Sequence, residues 1–244
     1  QQLIGTWNAD NNNRVAIDYN GLSPHLVHAL VATEDERFYE HSGVDFIALG
    51  RAVVKRGVMG QASAGGGSTI TQQLAKQLFS EKAHSTVERL LQKPIEWIIA
   101  VKLERHFTKE EILAMYFNYF DFLHNAVGIK RAANVYFNKE PRKLTVTEAA
   151  MLVGLCKNPS MFNPLRYPER CKQRRNVVLM QMVKSGYVTK AEYDELSQRP
   201  LGLHFTKAKP VSGAADYFQA YLRQYMMAKK PVREDYQAWQ NRQF

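Results

Sequence analysis

The sequence lacks long apolar runs and cysteine frameworks. None of its 244 residues falls in a run approaching the roughly 20 apolar residues that a membrane-spanning helix needs. The two cysteines, Cys156 and Cys171, match neither a disulfide framework nor a zinc site. We expect Cys156 to be a buried free thiol, with a bridge to Cys171 as the less favoured alternative. No signal peptide is visible, and a start at Gln1 suggests a piece of a longer protein.

Apolar content and positive charge are what the chain does have. Its composition is 45% hydrophobic, which is enough to bury a sizeable core. Lys and Arg number 33 against 23 Asp and Glu, giving a formal charge of +10. Such a surface attracts phosphate, nucleic acid or anionic lipid, although an ordinary solvated basic face explains the charge equally well.

Helix signals dominate, and strand-type alternation is nearly absent. Ser23 and Pro24 predict a capped helix that runs towards Glu34. Three capping boxes predict further helix starts, at Thr108 with Glu111, Thr145 with Glu148 and Thr189 with Glu192. The best strand candidate is "RVAIDY", residues 14–19. We therefore predict a mainly α domain, with one more amphipathic helix beyond a turn at residues 199–213.

The stretch "SAGGGSTITQQLAKQLF", residues 63–79, places glycines before hydroxyl, amide and ammonium side chains. It lacks the Gly-Lys-Ser/Thr of a nucleotide-binding loop. Ser68 or Thr69 can cap a helix that begins near Ile70, with Thr69, Gln73 and Lys76 on one face. An anion site at this helix start and a mobile loop before an ordinary helix are equally compatible with the pattern.

Three acids, Glu34, Asp35 and Glu36, follow an apolar helix face within "ATEDERFYEHSGVDF", residues 32–46. A carboxylate that lies against apolar surface near a negative helix end suits general acid or base chemistry. The alternative is that Asp35 and Glu36 pair with Arg37 and simply end the helix.

A second acidic stretch is "QKPIEWIIAVKLERHF", residues 92–107. Glu96 and Glu104 lie two helical turns apart, and Lys93 precedes Glu96 by three residues. These residues predict either a surface ion pair or a second carboxylate facing Glu34 across a cleft.

Together these stretches resemble the peptidoglycan glycosyltransferase domain (glycosyltransferase family 51) of class A penicillin-binding proteins. The first motif, E-D-x-x-F-x-x-H-x-G-x-D, matches at Glu34, Asp35, Phe38, His41, Gly43 and Asp45. The second, G-G-S-T-I-T-Q-Q-L-x-K-N, matches from Gly66 to Lys76 and departs at Gln77. The third, R-K-x-x-E, keeps Lys93 and Glu96 but has Gln92 for Arg, so Arg89 is the candidate substitute.

Two further motifs extend the resemblance from about Gly21 to Leu203. The fourth runs from Lys109 to Asn118, with Ala114 in place of Glu. The fifth, R-R-N-x-V-L, is intact at Arg174, Arg175, Asn176, Val178 and Leu179.

The resemblance implies a lysozyme-like helical large lobe with a smaller, flexible, membrane-proximal lobe. It implies a glycosyltransferase domain over residues 1–206 and, over 207–244, a segment leading to an absent transpeptidase domain. The implied substrates are lipid II and the growing glycan chain, joined by β-1,4 bonds with inversion and release of undecaprenyl pyrophosphate. The implied place is the outer, periplasmic face of the cytoplasmic membrane, with an N-terminal anchor outside this chain.

The resemblance also implies the site. Glu34 is the general base and Glu96 the second catalytic carboxylate. The expected substrate-binding residues are Asp35, Phe38, His41, Gly67, Ser68, Thr69, Gln72, Gln73, Lys76, Arg89, Lys93 and Asn118. No cofactor is expected to be required. Mg²⁺ or Mn²⁺ can assist the reaction, and the sequence does not identify ligands for either ion. The loop at 57–67 is expected to be mobile and to close over the polymer.

The expected partners include the membrane surface and other cell-wall synthesis proteins. Residues 52–61 are the candidate membrane contact, and the alternative is an ordinary helix that ends at Gly57. A lysozyme-type hydrolase would share a helical fold and an active Glu, but has no need of a phosphate-binding helix start. A basic helical binding module for nucleic acid or membrane would explain the charge but not the acids at 34–36, and the aromatics of this chain fall at core helical spacing. We therefore expect no nucleic-acid partner.

Overall fold

The described part of the chain is helical. The computed structural model describes residues 15–57, 67–79 and 86–206, and for 52–57 and 86–91 it describes the backbone alone. These ranges contain nine α-helices: α1 Pro24–Glu34, α2 Phe46–Gly57, α3 Ile70–Phe79, α4 Thr86–His106, α5 Lys109–Tyr119, α6 Ile129–Phe137, α7 Val146–Lys157, α8 Pro168–Lys184 and α9 Lys190–Gln198. Two 3₁₀ turns lie at Tyr19–Gly21 and Pro141–Lys143. The mainly α prediction is confirmed.

The helix starts follow the local capping signals. Ser23 accepts a hydrogen bond from the His25 N–H at the start of α1. Both hydrogen bonds of the capping box form at all three predicted positions, the starts of α5, α7 and α9. Each cap satisfies N–H groups that the first turn of a helix leaves without partners.

Helix α7 forms the centre of the core. Residues 148–156 of this helix are all buried, as expected of a helix that other helices surround. It packs against α1 and α8, which also pack against each other. A second group joins α3 to α4 and α5. Both cysteines are free and buried, Cys156 in α7 as expected and Cys171 in α8.

The predicted strand at residues 14–19 is wrong. Residues 15–18 have no regular secondary structure and lead into the 3₁₀ turn. The Asn118 side chain accepts from the Ile17 N–H at 3.1 Å and donates to the Ile17 carbonyl at 2.8 Å. A side-chain amide therefore satisfies the backbone groups that a neighbouring strand would otherwise bind.

Several sequence predictions fall outside the described residues. These are the mobile loop, apart from its two ends, and the amphipathic helix after residue 213. The division at residue 206, the two-lobed arrangement and the N-terminal anchor stay predictions. Within the described ranges, no helix is both long enough and apolar enough to cross a membrane.

Candidate active site

Glu34 is the last residue of α1, and two other elements reach its carboxylate. Gln73 of α3 donates from Nε2 to Oε2 at 3.0 Å. Arg174 of α8 places Nη2 at 3.5 Å from Oε1. Both carboxylate oxygens therefore have a partner. The Glu34 side chain is 18% exposed, so it is still accessible to solvent.

Asp35 connects the first motif to the start of α3. Its carboxylate accepts from the Ile70 N–H at 3.0 Å, and His41 Nε2 lies 3.0 and 3.1 Å from its two oxygens. Asp35 is 8% exposed. An acidic group at a helix N-terminus is favoured by the helix dipole, so this contact fixes α3 beside the end of α1.

The alternative prediction, that Asp35 and Glu36 form ion pairs with Arg37, is wrong. Arg37 instead contacts Glu40 at 2.7 Å and Asp45 at 3.2 Å. Glu34 and Asp35 therefore do more than end a helix, whereas Glu36 is exposed.

Thr69 and Gln72 build the start of α3. The Thr69 hydroxyl donates to the Gly43 carbonyl at 2.6 Å and accepts from the Gln72 N–H at 3.1 Å. The Gln72 side chain accepts from the Thr69 N–H at 3.4 Å. Both residues are only 2% exposed. Their described contacts position the helix, and a direct contact with substrate stays a prediction.

Ser68, Lys93 and Glu96 form a second cluster before α3. Lys93 Nζ lies 2.7 Å from Glu96 Oε2 and 3.3 Å from Ser68 Oγ. Glu96 is buried at 3% exposure, whereas the Lys93 side chain is 42% exposed. The predicted ion pair therefore forms, but its acid is not a surface group. Ser68 lies two residues before α3, and the Ile70 N–H at the start of that helix binds Asp35 beside Glu34.

Assistance by Mg²⁺ or Mn²⁺ stays a prediction. Among the described residues, no group of three or more His, Cys, Asp or Glu could hold a metal ion. The ammonium of Lys93 already lies where a cation beside Glu96 would bind. A divalent ion prefers several oxygen ligands, and Glu96 supplies the oxygens of one carboxylate.

Four more of the predicted binding residues are Phe38, His41, Asn118 and Lys76. Phe38 is fully buried, with Lys109 Nζ 4.3 Å from its ring centroid. Lys109 also donates to the His41 carbonyl at 2.6 Å. Asn118 binds Ile17, as described above. Lys76 is exposed in the last turn of α3, away from the helix start.

The remaining two predicted residues lie at the edges of the description. Gly67 is half-buried and is the first described residue before α3. Arg89 lies in α4, in the part of that helix described by its backbone alone. For every residue that the sequence predicts to bind substrate, that role stays a prediction.

Three side chains beside Glu34 and Gln73 were not assigned a site role from the sequence. Arg174 is 10% exposed, its Nε has no hydrogen-bond partner, and burial lowers its pKa against the opposing effect of Glu34. Tyr116 donates to Gln73 Oε1 at 3.1 Å, and burial raises its pKa well above 10. Cys156 interacts with the Tyr116 hydroxyl, and burial likewise raises the pKa of its thiol. Arg174 and Tyr116 had a usable signal, since Arg174 opens the intact fifth motif and Tyr116 is a matched position of the fourth.

The chain is similar to penicillin-binding proteins. Residues 1–183 match the family model described as Transglycosylase. The chain is 39% identical over 229 residues to penicillin-binding protein 1A of Aquifex aeolicus, covering 93% of this chain and 30% of that protein. It is 40% identical over 210 residues to penicillin-binding protein 1F of Bacillus subtilis, covering 86% and 28%. It is 39% identical over 213 residues to penicillin-binding protein 1A of Escherichia coli, covering 87% and 24%. The chain thus spans less than a third of each relative.

Proposed function

Because this chain belongs to the transglycosylase family, we propose that it polymerises lipid II into β-1,4-linked glycan strands and releases undecaprenyl pyrophosphate. The observation that carries the proposal is the carboxylate of Glu34, which is partly exposed and held by Gln73 and Arg174. The polar start of α3 lies next to it. A base and a cluster that can bind an anion are the two parts that this reaction needs.

Glu34 acts as the general base. Its carboxylate removes the proton from the 4-hydroxyl of the acceptor GlcNAc as that oxygen attacks the donor anomeric carbon. The new bond forms on the face opposite the departing pyrophosphate, so an α-linkage becomes a β-linkage. Gln73 and Arg174 keep the carboxylate in place, which is the positioning that such a step requires.

The cluster of Ser68 and Lys93 binds the leaving group. The pyrophosphate gains negative charge as its bond to the sugar breaks, and an ammonium and a hydroxyl beside a helix N-terminus stabilise that charge. The partial exposure of Lys93 leaves room for this contact. Lys76, exposed in the last turn of α3, adds positive charge for the lipid-linked donor, and a role for Arg89 stays a prediction from the third motif.

Glu96 orients Lys93. Its buried carboxylate holds Nζ at 2.7 Å and fixes the ammonium beside Ser68. A buried carboxylate paired in this way serves as a positioning group. In the proposed chemistry, the Lys93 ammonium supplies the positive charge that the leaving group needs.

The membrane surface is the proposed working place, because the lipid of lipid II stays in the bilayer. Five exposed large apolar side chains lie on α2, α3 and α4: Phe46, Ile47, Phe79, Ile95 and Ile98. Exposed apolar side chains on a basic protein suit the headgroup region of an anionic leaflet. We place the domain at the periplasmic face of the cytoplasmic membrane, where other cell-wall synthesis proteins are candidate partners.

The test is incubation of the purified chain with labelled lipid II, followed by separation of polymer from monomer. We expect polymer, and we expect moenomycin, the phosphoglycolipid inhibitor associated with this family, to abolish it. A parallel reaction with preformed glycan strands tests for a hydrolase. Cleavage of those strands without polymer from lipid II would replace the transferase with a lysozyme-type activity.

A further inference from the structure

Tyr116 and Cys156 form the inner end of a polar chain that reaches Glu34. The Tyr116 hydroxyl donates to Gln73 Oε1 at 3.1 Å, and Gln73 Nε2 donates to Glu34 at 3.0 Å. The Cys156 thiol interacts with the same hydroxyl and donates to the Leu152 carbonyl at 3.6 Å. Tyr116 is fully buried, so its hydroxyl exchanges no hydrogen bonds with bulk water.

The carboxylate and the hydroxyl together fix which way the Gln73 amide faces. An amide has an accepting oxygen at one end and a donating nitrogen at the other, and an ionised carboxylate only accepts. Gln73 must therefore turn its nitrogen towards Glu34 and its oxygen towards Tyr116. A half-turn of the amide would set oxygen against carboxylate and break the bond to the hydroxyl.

Tyr116 stays a donor over the whole working pH range. Burial, with smaller effects of Cys156 and Glu34, raises its pKa well above 10. The hydroxyl therefore keeps its proton at neutral pH.

We propose that Tyr116 is a positioning residue for glycosyl transfer, because its hydroxyl fixes the Gln73 amide that holds the Glu34 carboxylate. The inference rests on the proposed function, since it gives Tyr116 a part in the work of Glu34. Tyr116 does not touch substrate, because no part of its side chain is exposed. Without the hydroxyl, the oxygen end of the Gln73 amide loses its donor, so only the bond to Glu34 holds the amide and the carboxylate is positioned less firmly.

The first test compares Tyr116→Phe with Tyr136→Phe, using polymerisation of labelled lipid II. Tyr136 is a matched control, because it is also fully buried and donates a hydrogen bond, at 2.6 Å to the Phe122 carbonyl. We expect both variants to lower the urea midpoint. We expect only Tyr116→Phe to lower kcat, by about tenfold with KM changed by less than about twofold. A wild-type kcat in folded Tyr116→Phe would overturn the proposal.

The second test is a double-mutant cycle with Gln73→Met, which keeps the side-chain length and removes the amide. We expect the single variant to lose at least about tenfold in kcat, and Tyr116→Phe to add less than about twofold in that background. A full further loss would show that the hydroxyl acts by another route. If Tyr116→Phe does not fold, Gln73→Met alone decides, and a wild-type rate in it overturns the proposal. A wild-type chain that makes no polymer would instead refute the proposed function, and this inference with it.

Discussion

Gly43 lies where the first motif meets α4, and its replacement tests the local packing of the site. Its φ of +94° belongs to the region that L-residues rarely adopt. A Cβ at this position would lie 2.8 Å from the carbonyl carbon and oxygen of Ala100 and 2.9 Å from the Val101 nitrogen. All three are backbone atoms of a helix, so they cannot move aside as a flexible side chain can.

The expected cost of Gly43→Ala is the sum of two effects. A positive φ costs a non-glycine residue about 1 to 2 kcal/mol. The forced separation from α4 adds about 1 to 3 kcal/mol, as overpacking of a filled interior does. We therefore expect a loss of about 2 to 5 kcal/mol in the free energy of unfolding. The same shift pulls the Gly43 carbonyl away from the Thr69 hydroxyl that it binds at 2.6 Å, so polymerisation should fall too.

Gly186→Ala is the matched control, measured by urea unfolding under the same conditions. Gly186 has a φ of +77°, but a Cβ there would meet no atom within 4 Å. It should therefore show the cost of positive φ alone, about 1 to 2 kcal/mol. If the two variants lose equal stability, the close approach of Gly43 to α4 is not what requires glycine.

Two further predictions concern α8. Arg175 is fully buried, and its guanidinium donates to carbonyls at the end of α9 and beyond, those of residues 196, 197, 199 and 200. We expect Arg175→Lys to lower the free energy of unfolding by about 2 to 3 kcal/mol, because lysine lacks the planar fork. Arg199→Lys, at an exposed ion pair, should cost less than about 0.5 kcal/mol, and equal costs would contradict this account. Burial raises the pKa of Cys171 from 9.0 to about 12. The unfolded thiol ionises above about pH 9 while the folded one keeps its proton, so stability should fall by about 1.4 kcal/mol per pH unit from there towards pH 12. Urea melts from pH 8 to pH 10.5 should show a smaller fall in Cys171→Ala, and parallel curves would contradict the linkage.

The features predicted correctly from the sequence are local ones. The capping boxes at Thr108, Thr145 and Thr189 formed because donor and acceptor lie three residues apart. The same reasoning correctly predicted the start of α3 at Ile70. The family was predicted from two long motifs, and the match over residues 1–183 confirms it.

The features that the sequence could not supply depend on contacts between distant segments. The strand prediction failed because the partner of Ile17 is a side chain 101 positions away. Arg174 reaches Glu34 only because α8 packs against α1. Tyr116 lies within the fourth motif, but no spacing in the sequence indicates that its hydroxyl meets Gln73.

Polymerisation by Glu34→Gln tests the proposed base most directly. Glutamine keeps the size of the side chain but cannot accept the proton from the acceptor hydroxyl. A general base contributes about 10² to 10⁴ to the rate, so we expect at least a hundredfold loss of polymer formation. Binding of lipid II, measured separately on the same variant, should survive. Polymerisation at the wild-type rate would show that Glu34 is not the base.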